Sequence, residues 1–277
     1  MNLGLLNGLS GEALRFFLLD DKNSHQKGCD LLDIIAEKIF VCEDYSFNNG
    51  IIGFGWLIAF LHQEKYIRIN SDEVLEEFDD QIYKVALSNL GEKEKKINEL
   101  LGLTNYFLIR HRNTNPKEKY FRKFIHSECL NLIFNNFVNY IEACIYKKDM
   151  TNSEFYYGCK ILLKLSYSNQ YIFDKNLQDK LIDFHIYYIQ FVDQKLSKDY
   201  KSINLTCFLY LLLSIMQQEY RIFERRMSLL GENLTHLLLD NYIYKLYSSN
   251  YLQYHSLQNN ELLFLLTNYE FKNYTLS

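Results

Sequence analysis

The sequence predicts an all-α fold assembled from helical hairpins, and three observations carry that prediction. One Pro stands in 277 residues, and Pro is the residue that breaks helix interiors. Apolar residues recur at steps of three and four, with no alternating run of the kind a strand needs. Glycine-containing turns open apolar helices at starts roughly 40 to 55 residues apart, the period of a helical-hairpin array. Periodicity alone leaves a closed α/α ring and an open solenoid as equal outcomes.

The elements follow in order. Leu9, Leu14, Phe16, Phe17 and Leu18 crowd one side of a first helix. Leu31, Leu32, Ile34, Ile35, Ile39 and Phe40 give a second at helical spacing. Val74, Phe78, Ile82, Val85 and Ala86 form a stripe about one-third of a helix wide. Asp72 and Glu73 lie in that helix's first turn, where they suit the positive end of its dipole. Further helical stretches run over 125–145, 176–196, 203–217 and 220–247. The glycine turns stand at Gly8 and Gly11, at Gly50, Gly53 and Gly55 before Trp56, at Gly102 and at Gly158, and only Gly231 follows in the third quarter. A glycine start lets an inner helix begin close to a neighbouring backbone, and each apolar helix is followed by a more amphipathic one that covers it. The polar stretches 91–96 and 113–119 are expected to be solvated connections. Neither is long enough for a linker, so 1–277 is expected to be a single domain.

Composition narrows the function. Hydrophobic residues at 48% and charged residues at 23% are those of an ordinary soluble globular chain. A net charge of -4 and a pI near 6.0 give no basic field to draw nucleic acid. The strongest apolar run, 207–216, is about half the roughly 20 residues of a bilayer-spanning helix, so no membrane partner is expected. Met1-Asn2-Leu3-Gly4 has no basic n-region. The six cysteines Cys29, Cys42, Cys129, Cys144, Cys159 and Cys207 contain no CxxC pair. They are expected to be reduced, mostly buried thiols of a cytoplasmic protein.

Two strings carry a resemblance: GLLNGLSGEALRFFLLD from Gly4, and NNGIIGFGWLIAFLHQEKYIRINSDEVLEEFDDQIY from Asn48. The Gly-x-x-Gly-x-Gly-Trp spacing followed by an acidic helix resembles the lanthionine synthetase C-like family, in the form of its Bacteroidetes members, over residues 4 to 83. The closing Asn260-Glu261-Leu262-Leu263 is similar to the family's final run, and the intervening two-thirds resembles it only in helix order. The resemblance implies a partial or closed α/α toroid with a zinc ion at its centre. It implies an enzyme that adds a peptide Cys thiolate to a dehydrated Ser or Thr, zinc lowering the thiol pKa and an acid–base group protonating the enolate.

The sequence departs from the family at the chemistry. The family's Trp-Cys-Tyr-Gly and Cys-His-Gly motifs are missing from the string. The corresponding regions hold Cys207 within 202–208 and His236 at the end of 231–236. Tyr157 stands where the family's His-Gly turn falls, and Asn98 where it has an Asp. The chain is also shorter than is usual for the family. The expectation is a catalytically degenerate cyclase-like protein without cofactor. It would act as a binding partner for a precursor peptide or a modifying enzyme in bacterial peptide maturation. The alternative is a divergent cyclase forming thioether rings with unusual ligands, and a third reading is a plain α-solenoid scaffold.

Each candidate residue has a structural reading beside the functional one. Cys207 and His236 are remnant metal ligands, or a buried thiol and a surface imidazole; two ligands do not hold catalytic zinc. His126 and Cys129, three apart on one helix face, are ligands or chance spacing. Glu76, Glu77, Asp79 and Asp80 are similar to a magnesium-binding acidic run, but Asp20-Asp21 is the only imitation of a second cluster, so the acids are expected to face solvent. Arg110, Arg112, Lys117, Lys119, Arg122 and Lys123 are an acidic-peptide or nucleic-acid patch, or a solvated basic face. Trp56 is a peptide-stacking residue or a core anchor. Trp56, Asn98 and Tyr157 are the expected lining of a peptide groove.

Overall fold

The computed structural model describes residues 2–5, 8–19, 21–91, 96–115, 120–147, 150–172 and 174–198, with Cys207, Tyr210, Leu211 and Ser214, which are helical. The expected helices over 220–247, Gly231, His236 and Asn260–Leu263 lie outside the described residues, as does most of 203–217. Among the described residues the protein is all-α, with nine helices. They are α1 (Leu9–Leu18), α2 (Lys22–Ile39), α3 (Ile51–Gln63), α4 (Ser71–Val74), α5 (Glu76–Leu90), α6 (Ile97–Arg112), α7 (Tyr120–Tyr146), α8 (Asn152–Ser168) and α9 (Lys175–Lys198). The chain divides into two compact units, Met1–Asn136 and Phe137–Ser277, and α7 passes from one to the other.

Buried and amphipathic helices alternate. All of Ile51 to Leu61 in α3 is buried, as is Leu100 to Arg110 in α6 and Gly158 to Ser168 in α8. The helices after them, α5, α7 and α9, each keep a solvated side. In the first unit α1 packs on α2, and α6 takes both α3 and α5; in the second α8 packs on α9. This is the hairpin arrangement that the glycine spacing predicts, with inner helices beginning at residues 9, 51, 97 and 152.

The glycines do two different jobs. Gly8 and Gly50 are helix N-caps, as expected of opening turns. At Gly50 an added Cβ would stand 1.8 Å from the Asp44 carbonyl oxygen, so only Gly allows Ile51 N–H to reach that oxygen at 2.8 Å. Gly102 and Gly158, by contrast, lie inside α6 and α8, which begin five and six residues earlier. The N-terminal segment and the 44–50 loop, which bear the two glycine strings, meet backbone to backbone: Gly4 N–H donates to Asn49 O at 2.9 Å.

The second unit opens with a capping box. Thr151 Oγ1 accepts from the Glu154 backbone while the Glu154 carboxylate accepts from Thr151 N–H, at 3.2 and 2.8 Å. Inside the unit, Lys160, Lys164, Ser166, His185 and Ser214 are all fully buried. Ser214 bridges His185 Nε2 and Ser166 Oγ, the latter at 2.9 Å. Lys160 Nζ sits 4.6 Å over the Tyr156 ring. Burial, with Lys160 nearby, holds the Lys164 ammonium well below the usual lysine range.

Candidate functional site

The first unit contains a buried ion-pair network that joins the acidic run to the basic one. Arg110, near the end of α6, has five N–H donors, and each has an acceptor. Nε donates to Asp79 Oδ1 at 3.0 Å and Nη2 to Asp79 Oδ2 at 2.7 Å. Nη2 also reaches Asp72 Oδ1 at 3.1 Å, and Nη1 reaches Ser71 Oγ and Asn113 Oδ1 at 3.1 and 3.3 Å. The Tyr106 hydroxyl donates to the same Asp79 carboxylate. Burial pulls the Asp79 carboxyl up, but the Arg110 hydrogen bonds and charge outweigh it, and the group titrates below the usual aspartate value.

Four expectations are corrected here. Asp79 is buried, although Glu77 and Asp80 beside it are exposed. The chain breaks between α4 and α5 at Leu75, whose φ of -101° and ψ of 10° interrupt the helix. That break turns Leu75 inward and leaves Val74 49% exposed, so Val74 does not share the buried stripe. Arg110 does not belong to a solvated basic face. Nor are residues 113–115 a solvated connection, because Asn113 is buried and its amide donates to Ala59 O and Gln63 Oε1, both at 3.1 Å, while Asn115 Oδ1 accepts from Ser71 N–H. Lys117 and Lys119 lie outside the described residues, as does Asp20.

Arg122, at the start of α7, continues the network to Glu76 at 2.7 Å and to Asp79 Oδ2 at 3.4 Å. His126 Nε2 stands 3.7 Å from Asp79 Oδ2. Burial pushes the His126 imidazole down to about 4 against the pull of Asp79, so at neutral pH it is an uncharged ring, and among the described residues neither nitrogen makes a hydrogen bond. Cys129 is buried on the same helix, and desolvation pushes its thiol up to about 12.

The network fixes the rotation of α5, and α5 builds one wall of a groove. Asp79 points to Arg110, while its neighbours Glu77, Phe78 and Gln81 line a cavity of about 510 Å³ against the end of α2 and the loop after it. Phe40 is 73% and Val41 81% exposed. The Phe40 ring leans on that of Phe78 with centroids 6.0 Å apart. The Tyr45 hydroxyl donates to Gln81 Oε1 at 2.6 Å, which ties the loop to α5.

The sequence-derived candidates fall elsewhere. Trp56 is 2% exposed, stacked on Phe60 at 4.9 Å and edge-on to Phe47, so its indole is a core anchor. Asn98 is half-buried in the first turn of α6. Tyr157 is half-buried on α8, in the second unit, edge-on to Tyr156. Cys207 is buried in the second unit, and burial pushes its thiol up to about 12, the neutral form. His236 lies outside the described residues. Among the described residues no three His, Cys, Asp or Glu side chains come together as a metal ion needs. Cys207 therefore has no such donor set around it among the described residues.

Neither the Phe40–Phe78 groove nor the Arg110 network was singled out from sequence. A signal existed for both. An exposed Phe-Val pair just past a helix end, and an Arg placed among α6's apolar residues, are each out of pattern. Compared with protein-family models, with curated proteins and with solved structures, the chain matches none. Among the described residues no helix is long and apolar enough to cross a membrane.

Proposed function

We propose that this protein is a peptide-binding module, a cyclase-like member of a bacterial peptide-maturation system that holds a precursor peptide without reacting with it. The observation that carries the reading is the groove: the described residues lining it run from Ile39 to Gln81, inside the stretch that resembles the lanthionine synthetase C-like family. An exposed aromatic and aliphatic pair at the mouth of a cleft is the kind of surface that marks a recognition site. In this reading the helical hairpins belong to a partial or closed α/α toroid, and a modifying enzyme of the same pathway is a further partner.

The test is titration calorimetry of the full chain with synthetic copies of short peptides encoded beside it, followed by alkylation of the peptide thiols. Saturable binding with every thiol still open to alkylation is expected. Loss of a thiol on a dehydrated peptide would establish the divergent cyclase instead, since thioether formation consumes the thiol without changing the mass. No binding to any such peptide would leave the solenoid scaffold.

A further inference from the structure

The groove's charges specify what it takes. Glu43 and Glu77 both line it, and both are exposed. Their neighbours Glu76, Asp79 and Asp80 are held by Arg122 and Arg110, whereas Glu43 and Glu77 form no ion pair among the described residues. Among the described residues no Lys or Arg lines the cavity. The same cavity is lined by aromatic rings, with Phe40 leaning on Phe78 and Tyr45 tied to Gln81. Carboxylates beside aromatic faces are the chemistry that recognises an ammonium or guanidinium, by charge and by the ring quadrupole. Phe40 and Val41 give an apolar neighbour a place to pack.

We infer that the groove takes an apolar peptide segment bearing Lys or Arg, its cationic head directed to Glu43 and Glu77 and its apolar side chains on Phe40, Val41 and Phe78. This inference rests on the peptide-binding reading above and names the chemistry of the peptide. A second copy of the chain is a poorer occupant, because its net charge of -4 opposes an acidic rim.

The experiment uses the full chain and two fluorescein-labelled hexapeptides of equal apolar content, LRFLKL and LEFLEL, read by fluorescence anisotropy. LRFLKL is expected to bind about tenfold more tightly than LEFLEL, and to weaken as salt rises from about 0.1 M to about 0.5 M. The exposed charge-reversal pair E43K/E77K, checked for helix content by circular dichroism, is expected to reverse the preference. Equal binding of the two peptides, abolished by F40D, would overturn the charge assignment and leave the peptide-binding reading standing. Failure of both peptides to bind at about 1 mM would overturn the two together. A dimer seen by light scattering and dispersed by F40D would make the occupant a second copy and overturn the inference.

Discussion

Arg110 grips Asp79 through two parallel hydrogen bonds, of 3.0 and 2.7 Å, with both side chains out of water. One residue belongs to the basic stretch and the other to the acidic one, 31 positions apart. Their meeting joins the buried helix α6 to the amphipathic helix α5. Because Asp79 adjoins Phe78, the grip that turns one toward α6 turns the other toward the groove. Ser71, Asp72 and Asn113 complete the guanidinium's partners, which is what allows a charge to stand inside the unit.

Breaking the pair from one side is expected to be costly. R110A strands two buried carboxylates, and D79A removes Arg110's bidentate partner; each is expected to lose about 3–5 kcal/mol of stability. The double variant R110A/D79A is expected to lose less than the sum, because the second change removes a charge that the first left unpaired. Urea denaturation of the three variants and the parent measures this. Additive losses would mean that the two residues are not coupled.

Acid is expected to weaken the protein in two separate windows. Burial holds His126 down to about 4 and His185 to about 3, against about 6.5 in an unfolded chain. Between those values the unfolded chain takes up protons that the folded one refuses. Their contribution is therefore whole above pH 6.5 and lost as pH falls toward 4, by about 1.4 kcal/mol per pH unit for each ring. Asp79, with its folded value depressed, acts only below about 3.8. Chemical denaturation between pH 7 and pH 4.5 should show the slope, and H126Q should flatten it. An unchanged slope in H126Q/H185Q would assign the acid sensitivity to other groups.

Gly158 and Tyr188 are expected to behave as a matched pair. A Cβ on Gly158 would stand 1.8 Å from the Tyr188 hydroxyl oxygen, and among the described residues that buried hydroxyl has no hydrogen-bond partner. G158A is expected to cost about 1–3 kcal/mol through overpacking. Y188F should be neutral or stabilising, since it removes an unsatisfied buried oxygen, and it should recover part of the loss in G158A. Thermal melts of the two single variants and the double variant decide. A destabilised Y188F would show that the hydroxyl is satisfied.

Much of the fold was legible in the residues. The apolar blocks after Gly8 and Gly50, and Ile35 and Ile39 within the run from Leu31, report which faces are buried, whereas Ile34 and Phe40 of that run stand exposed. The site was less legible, because charge pairing is a long-range fact. Nothing local marks Asp79 as buried and Asp80 as exposed; that follows from the break at Leu75 and from Arg110 arriving on another helix. Lys160 and Lys164 were hidden because a long aliphatic stem fits an apolar helix. The sequence also pointed to Trp56 as the aromatic of interest, because a lone Trp draws notice. The exposed aromatic is instead Phe40, just past the end of α2, leaning on the buried Phe78 of α5.

If a peptide binds in the Phe40–Phe78 groove, the backbone on both of its walls is protected when the peptide is seated. Hydrogen–deuterium exchange of the full chain, with and without saturating LRFLKL, tests it most directly. Slowed amide exchange is expected in 39–45 and 76–82, with the rest of α5 and all of α3 unchanged. Protection confined to other segments while the peptide is bound would contradict it.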